Sequence, residues 1–252
     1  MVRPKKHFGQ HFLKDKNIAR KIARSLNIST YDYLIEVGPG TGFLTDFLTE
    51  LPVKLILIEK DKEAYDFLLK KYRFEDILLV NDDFLKTDLS RLTGGKPFGI
   101  VGNFPYNIST QIVFKILENR LLIPEVTGMF QWEVAERIAS GPGNKIYGIL
   151  SVLTQLFYDV KLLFSVPPSV FYPPPQVKSA VIKLDRKADY PDVDFRVIKN
   201  LVKTAFNQRR KTLRNSLKNA NLPLEKPWTD FLSLRAEQLS PQDYWELYKL
   251  VK

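Results

Sequence analysis

Between residues 33 and about 184 the chain alternates short apolar runs with stretches of helical periodicity, and no other feature constrains the fold as tightly. The runs at 34–37, 55–58, 77–80, 99–101, 126–130, 160–164 and 180–184 read as strands. Between them, Leu44, Phe47, Leu48 and Leu51 fall at i, i+3, i+4 and i+7, and Ile112, Ile116 and Leu117 share one helical face. Such alternation implies a mostly parallel sheet wrapped by helices, so the expected class is a doubly wound α/β domain with seven strands. Residues 186–194 are polar and contain a proline, as a linker would. Beyond them only helical patterns occur, at 197–219, 226–234 and 241–251, with Ser240 and Pro241 reading as a cap and first helical residue. The expected organisation is therefore a sheet domain over 1–185 and a small all-helical domain over 186–252.

Charge separates along the same lines. The first 30 residues carry Arg3, Lys5, Lys6, Lys14, Lys16, Arg20, Lys21 and Arg24 against Asp15 alone. Residues 196–218 carry Arg196, Lys199, Lys203, Arg209, Arg210, Lys211, Arg214 and Lys218 with no acid. A solvated surface mixes its signs, whereas an acid-free basic segment with Phe206, Gln208 and Asn215 among its arginines fits a nucleic acid better than a membrane. Cysteine is absent and the only histidines are His7 and His11, which excludes disulfides and thiolate metal sites and leaves no metal centre expected. No apolar stretch is long enough to span a membrane, and the basic start is not followed by a signal-peptide core. The chain is expected to be soluble and cytoplasmic.

Chemistry-bearing residues gather at the ends of the first four strands. The first ends in Glu36-Val-Gly-Pro-Gly-Thr-Gly42, whose glycines let a ligand approach the backbone while the following helix offers free amides. The spacing is not that of a nicotinamide site, and no P-loop lysine accompanies it. Glu59, about 20 residues on, is placed to accept hydrogen bonds from ribose hydroxyls. Asp83 at the third strand end can accept from an adenine amine, with Phe84 beside the ring. The fourth delivers Asn103-Phe-Pro-Tyr-Asn-Ile-Ser109, which on its letters alone reads equally as a turn or as a site. Four such ends together favour a nucleoside site. Two other classes stay open on the residues: a nicotinamide oxidoreductase, and a non-catalytic factor that uses the basic face alone.

With these segments in hand, the sequence resembles the S-adenosylmethionine-dependent ribosomal RNA adenine dimethyltransferases over almost its whole length. The motifs are Phe8-Gly-Gln-His-Phe-Leu13, the glycine turn, Asn103 to Ser109, Gln131-Trp-Glu-Val-Ala-Glu-Arg137, Phe171-Tyr-Pro-Pro-Pro175 and Asn207-Gln-Arg-Arg-Lys-Thr-Leu-Arg-Asn215. The last is similar to the small-subunit branch of that family. The resemblance implies a class I methyltransferase, Rossmann-like fold that dimethylates two adjacent adenosines in a hairpin loop near the 3′ end of small-subunit ribosomal RNA, acts as a monomer and contributes to ribosome biogenesis. It further implies cofactor contacts from His11, Leu13, Gly38, Glu59, Asp83, Phe84 and Asn103. Asn103 and Pro105 would orient the target amine, and Tyr106 and Phe171 would take the two faces of the base. Arg209, Arg210, Lys211 and Arg214 would bind RNA. His11 stands where many relatives have asparagine, Asp82 where glycine is frequent, Phe104 where leucine or isoleucine is usual, and Trp132 where lysine is common.

Overall fold

The computed structural model describes residues 2–73, 75, 77–218 and 229–251. Seven strands form one sheet: Tyr33–Val37 (β1), Lys54–Ile58 (β2), Ile77–Val80 (β3), Phe98–Asn103 (β4), Glu125–Gln131 (β5), Tyr158–Val166 (β6) and Ser179–Arg186 (β7). Their spatial order is β3-β2-β1-β4-β5-β7-β6. The first five run parallel and β7 pairs antiparallel with β5. Leu34, Ile35, Ile56, Leu57, Ile100 and Val101 are fully or almost fully buried. A parallel strand covered on both faces needs an unbroken apolar run, which is why these segments stand out in the sequence.

Two compact units result. One comprises residues 1–135 and 161–186, the other residues 136–160 and 187–252. Residues 136–160 thus cluster with the C-terminal helices. The reason is visible in the helix Ile149–Phe157, which buries Leu150, Val152, Leu153, Leu156 and Phe157 and packs on the helices Phe195–Asn207 and Pro241–Val251. A chain segment buried on every side cannot stay on a sheet face alone.

The expected helix over 197–219 is broken. It runs as Phe195–Asn207, and a separate short helix follows at Leu213–Ser216. Gln208 leaves helical geometry at φ −121°, ψ 52°, and the Lys211 N–H bonds back to the Gln208 carbonyl at 2.8 Å. Thr212 bridges Arg235 in extended conformation, which fixes the break. Phe206 is a packing residue, its ring 6.3 Å from that of Tyr147 and 6.2 Å from that of Tyr244. Of the expected helix at 226–234, residues 226–228 lie outside the described residues, and a helix is seen at Thr229–Leu232. Among the described residues no helix is long and apolar enough to cross a membrane.

Candidate active site

The sheet order reverses between β1 and β4, and in open α/β sheets a crevice opens at the carboxyl ends of the strands at such a point. A cavity of about 300 Å³ lies there, at the lower end of small-molecule pockets. Its floor is the glycine turn. Gly38, Gly40 and Gly42 all have positive φ (66°, 59° and 73°), a conformation costly for any residue with a Cβ. The amides of these glycines are used within the chain. Gly38 N–H donates to Ile58 O, Gly40 N–H to the Glu59 carboxylate and Gly42 N–H to Pro39 O, each at 2.8 to 2.9 Å. The helix after the turn, Thr45–Leu48, is a single turn long.

Acids form one wall. Glu59 is buried, with Oε2 accepting from Gly40 N–H at 2.9 Å and Oε1 from Asp61 N–H at 2.8 Å. Burial holds its carboxyl above the usual range, partly offset by those N–H groups. A carboxylate has about four acceptor sites, so capacity remains for a pair of hydroxyl donors. Asp83 also lines the cavity. Burial would raise it, but the Lys60 ammonium at 2.9 Å and the Leu85 N–H outweigh that and hold it below the carboxylate range. Phe84, buried, closes this side. Glu36 lies behind the floor and does not line the cavity. There Thr45 Oγ1 donates to its Oε2 at 2.6 Å, and burial, reinforced by the neighbouring Glu59 and Asp46, pushes its carboxyl up to about 8.

The opposite wall is the segment after β4. Phe104 anchors it, since its buried ring lies over the cross-strand pair Gly102 and Gly128. A Cβ added at Gly128 would stand 2.2 Å from the Phe104 ring, so the bare strands make room for it. Asn103 Nδ2 donates to the His11 carbonyl at 2.7 Å. Pro105 O accepts the Ile108 N–H at 3.2 Å and keeps a second lone pair. The Tyr106 hydroxyl is hydrogen-bonded to Ser179 Oγ, and burial pushes its phenol up. The His11 ring sits against the Tyr106 ring, centroids 5.2 Å apart.

An N-terminal strap completes the enclosure, with His7 to Phe12 lining the cavity. Lys5 Nζ pairs with the buried Asp61, and Gln10 Nε2 donates to the other Asp61 oxygen at 3.1 Å. Burial would raise Asp61, and these two donors with the Glu63 N–H hold it low instead. Asn107 Nδ2 donates to His7 O at 3.1 Å, and His11 Nδ1–H to Pro173 O at 2.7 Å. Lys5, Gln10, Asp61, Asn107 and Ser179 join the site beyond the residues expected there. Gln10 stands within the Phe8–Leu13 motif and Asn107 within Asn103–Ser109, whereas Asp61 signals only as a helix cap, for Lys62–Lys71.

Of the residues expected here, His11, Gly38, Glu59, Asp83, Phe84, Asn103, Pro105 and Tyr106 all line the cavity. Leu13 and Phe171 do not. They are a cross-strand pair in the two-residue ladder of Phe12–Leu13 with Phe171–Tyr172, and both side chains are buried in the hydrophobic core. Successive strand residues face opposite ways, so Phe12 takes the cavity side and packs on Gly40 while Leu13 and Phe171 turn inward. Tyr172, on the face of Phe12, is 62% exposed. The four basic residues fall in the other unit, around the break after Asn207. Arg210, Lys211 and Arg214 are exposed with no carboxylate partner among the described residues, whereas Arg209 is tied to Glu237 at 3.6 Å and to the Asn144 carbonyl at 3.3 Å.

A seven-stranded sheet in this order, with its cavity at the reversal and an antiparallel β7, defines a class I methyltransferase. The chain belongs to the family described as Ribosomal RNA adenine dimethylase, which it matches over residues 1–251. It is 50% identical to the Ribosomal RNA small subunit methyltransferase A of Flavobacterium johnsoniae, over 96% of this chain and 94% of the relative. It is 49% identical to the protein of the same name from Bacteroides thetaiotaomicron, over 100% and 95% of the two chains. A crystal structure of a dimethyladenosine transferase from Plasmodium falciparum superposes with a TM-score of 0.80 at 28% identity, covering 94% and 96% of the chains. The 23S rRNA methyltransferase ErmE shares the fold, with a TM-score of 0.74 at 24% identity over 95% and 99%.

Proposed function

We propose that this chain dimethylates the exocyclic amines of two adjacent adenosines in a hairpin loop near the 3′ end of small-subunit ribosomal RNA. Its cofactor is S-adenosylmethionine. When bound, that cofactor supplies an electrophilic methyl group on a sulfonium. The residues present fit it: Glu59 would hold the ribose hydroxyls and Asp83 the adenine amine, with Phe84 beside the ring and Gly38 toward the methionine.

One observation carries the reading further. Asn103 commits an N–H of its amide to the His11 carbonyl, which turns Oδ1, an acceptor, away from the strap, and Pro105, whose carbonyl keeps a free lone pair, lines the same cavity. An adenine amine is a poor nucleophile because its lone pair is delocalised into the ring. Two fixed acceptors that take its N–H groups favour a pyramidal nitrogen and aim the lone pair, so catalysis rests on orientation and preorganised dipoles with no covalent intermediate on the protein. The target base must leave its stack to reach them, and Tyr106 offers it a face. Arg210, Lys211 and Arg214 supply phosphate contacts in a helical RNA-binding domain, with Arg209 partly committed to its own unit. The relatives' names support small-subunit RNA as the substrate; a substrate presented within a small ribosomal subunit or its precursor, and a cytoplasmic monomer in ribosome biogenesis, are part of the same proposal.

The test is to incubate the protein with labelled S-adenosylmethionine and unmethylated small subunits, then map the label. Two adjacent dimethylated adenosines are expected. Label on large-subunit RNA or on a single site would overturn the assignment.

A further inference from the structure

A carboxamide has a donor end and an acceptor end of nearly equal size, and rotation about its last bond exchanges them. At Asn103 the exchange would be fatal, because an N–H turned toward an amine opposes the amine's own N–H groups. The structure holds a device against it. A main-chain carbonyl only accepts, so the His11 oxygen at 2.7 Å fixes the nitrogen of Asn103 toward the strap and the oxygen away from it. The place of that carbonyl is set in turn by contacts made all along the strap. Lys5 is paired with the buried Asp61, Gln10 bonds both Asp61 and the Lys5 N–H, Asn107 holds His7 O, and the His11 ring is bonded to Pro173 O. Lys14 N–H closes the run on Val170 O at 2.9 Å.

We infer that the strap over residues 5–14, acting through the His11 carbonyl, is the positioning element that orients Asn103, so that enclosing the cofactor site and readying the amine acceptor are a single event. This rests on the reading that Asn103 Oδ1 receives the target amine. His11 contributes through its backbone oxygen, and its ring serves to seat that oxygen between the segment after β4 and the segment around Pro173. The strap touches no reacting atom in this account. Its effect on rate runs entirely through the asparagine.

The coupling is tested with the full-length protein in two ways. Asn103→Asp keeps acceptors for the amine but, ionised at pH 8, has no proton to give His11 O. Hydrogen exchange of the amides of residues 5–14 is expected to rise at least fivefold, while that of β1, a strand paired on both sides within the sheet, stays as in the parent and shows the fold intact. Exchange in the strap unchanged from the parent would overturn the inference. The second variant, Lys5→Met, leaves every cavity-lining side chain in place. It is expected to raise the same exchange and to slow single-turnover methylation at saturating cofactor about tenfold, with Lys5→Arg restoring both. A loosened strap with an undiminished rate would equally overturn it. Should the parent methylate no small-subunit RNA, the proposed function falls, while the exchange of Asn103→Asp still decides whether asparagine and strap are coupled.

Discussion

The cavity end of the sheet and the basic turn after Asn207 treat their polar groups in opposite ways. In the cavity, Glu59, Asp61, Asp83 and Asn103 each commit at least one polar atom to the chain itself. In the turn, Arg210, Lys211 and Arg214 commit none to a carboxylate among the described residues. The contrast teaches what each region is for. A bond-forming site needs its acceptors fixed in advance, since freezing them during reaction costs rate. A phosphate contact needs only charge and reach, and a side chain already paired would have to break that pair first.

The hardest blow to this comparison falls on Asn103. Asn103→Ala removes an acceptor that the protein has prepared, and a loss of ~3 kcal/mol, roughly a hundredfold in single-turnover rate, is expected with cofactor affinity nearly kept. A rate within a few-fold of the parent would mean that fixation of Asn103 serves the fold alone. Glu59→Gln comes next. The amide places an N–H against either the Gly40 or the Asp61 N–H, and calorimetry should find cofactor binding weakened about tenfold with RNA binding unchanged.

On the other side, replacing Arg210, Lys211 and Arg214 together by alanine should cost several-fold in RNA affinity at moderate salt. It should also lower the slope of log affinity against log salt by about 2, from roughly 0.7 per single-strand phosphate contact, and leave cofactor binding untouched. Arg209→Ala alone should change the slope least of the four, because that side chain is spent on Glu237 and Asn144. The smallest effect sharpens the cavity side. Glu36 is pushed up to about 8 by burial, so proton binding favours the folded state, and its contribution is whole below the ordinary carboxylate range and lost as pH rises toward 8. Glu36→Gln, which still accepts from Thr45, should therefore leave thermal unfolding unchanged near pH 4 and raise its midpoint at pH 8 by about 2–4 °C per kcal/mol recovered.

The five inner strands are legible because burial on both faces forces continuous apolar runs, and the cavity is legible because acids, glycines and Asn103 stand where such runs stop. What escaped depends on direction and distance. Whether Phe12 or Leu13 faces the cavity is decided by the pairing of a two-residue ladder with Phe171 and Tyr172, some 160 residues away along the chain. Asp61 looked like any helix cap until Lys5 and Gln10 reached it. The helix expected through 219 stops because Thr212 pairs with Arg235, a contact that local periodicity does not contain.

The seat of Phe104 has a consequence for how such a chain varies over time. Its ring occupies ground left vacant by Gly102 and Gly128, so residue size at 104 and at 128 forms one shared quantity divided between two addresses. A methyl group gained at 128 must be repaid by a smaller side chain at 104, or the Asn103 backbone moves away from the point where its oxygen is needed. The glycine inside β5 is therefore constrained by chemistry it never touches.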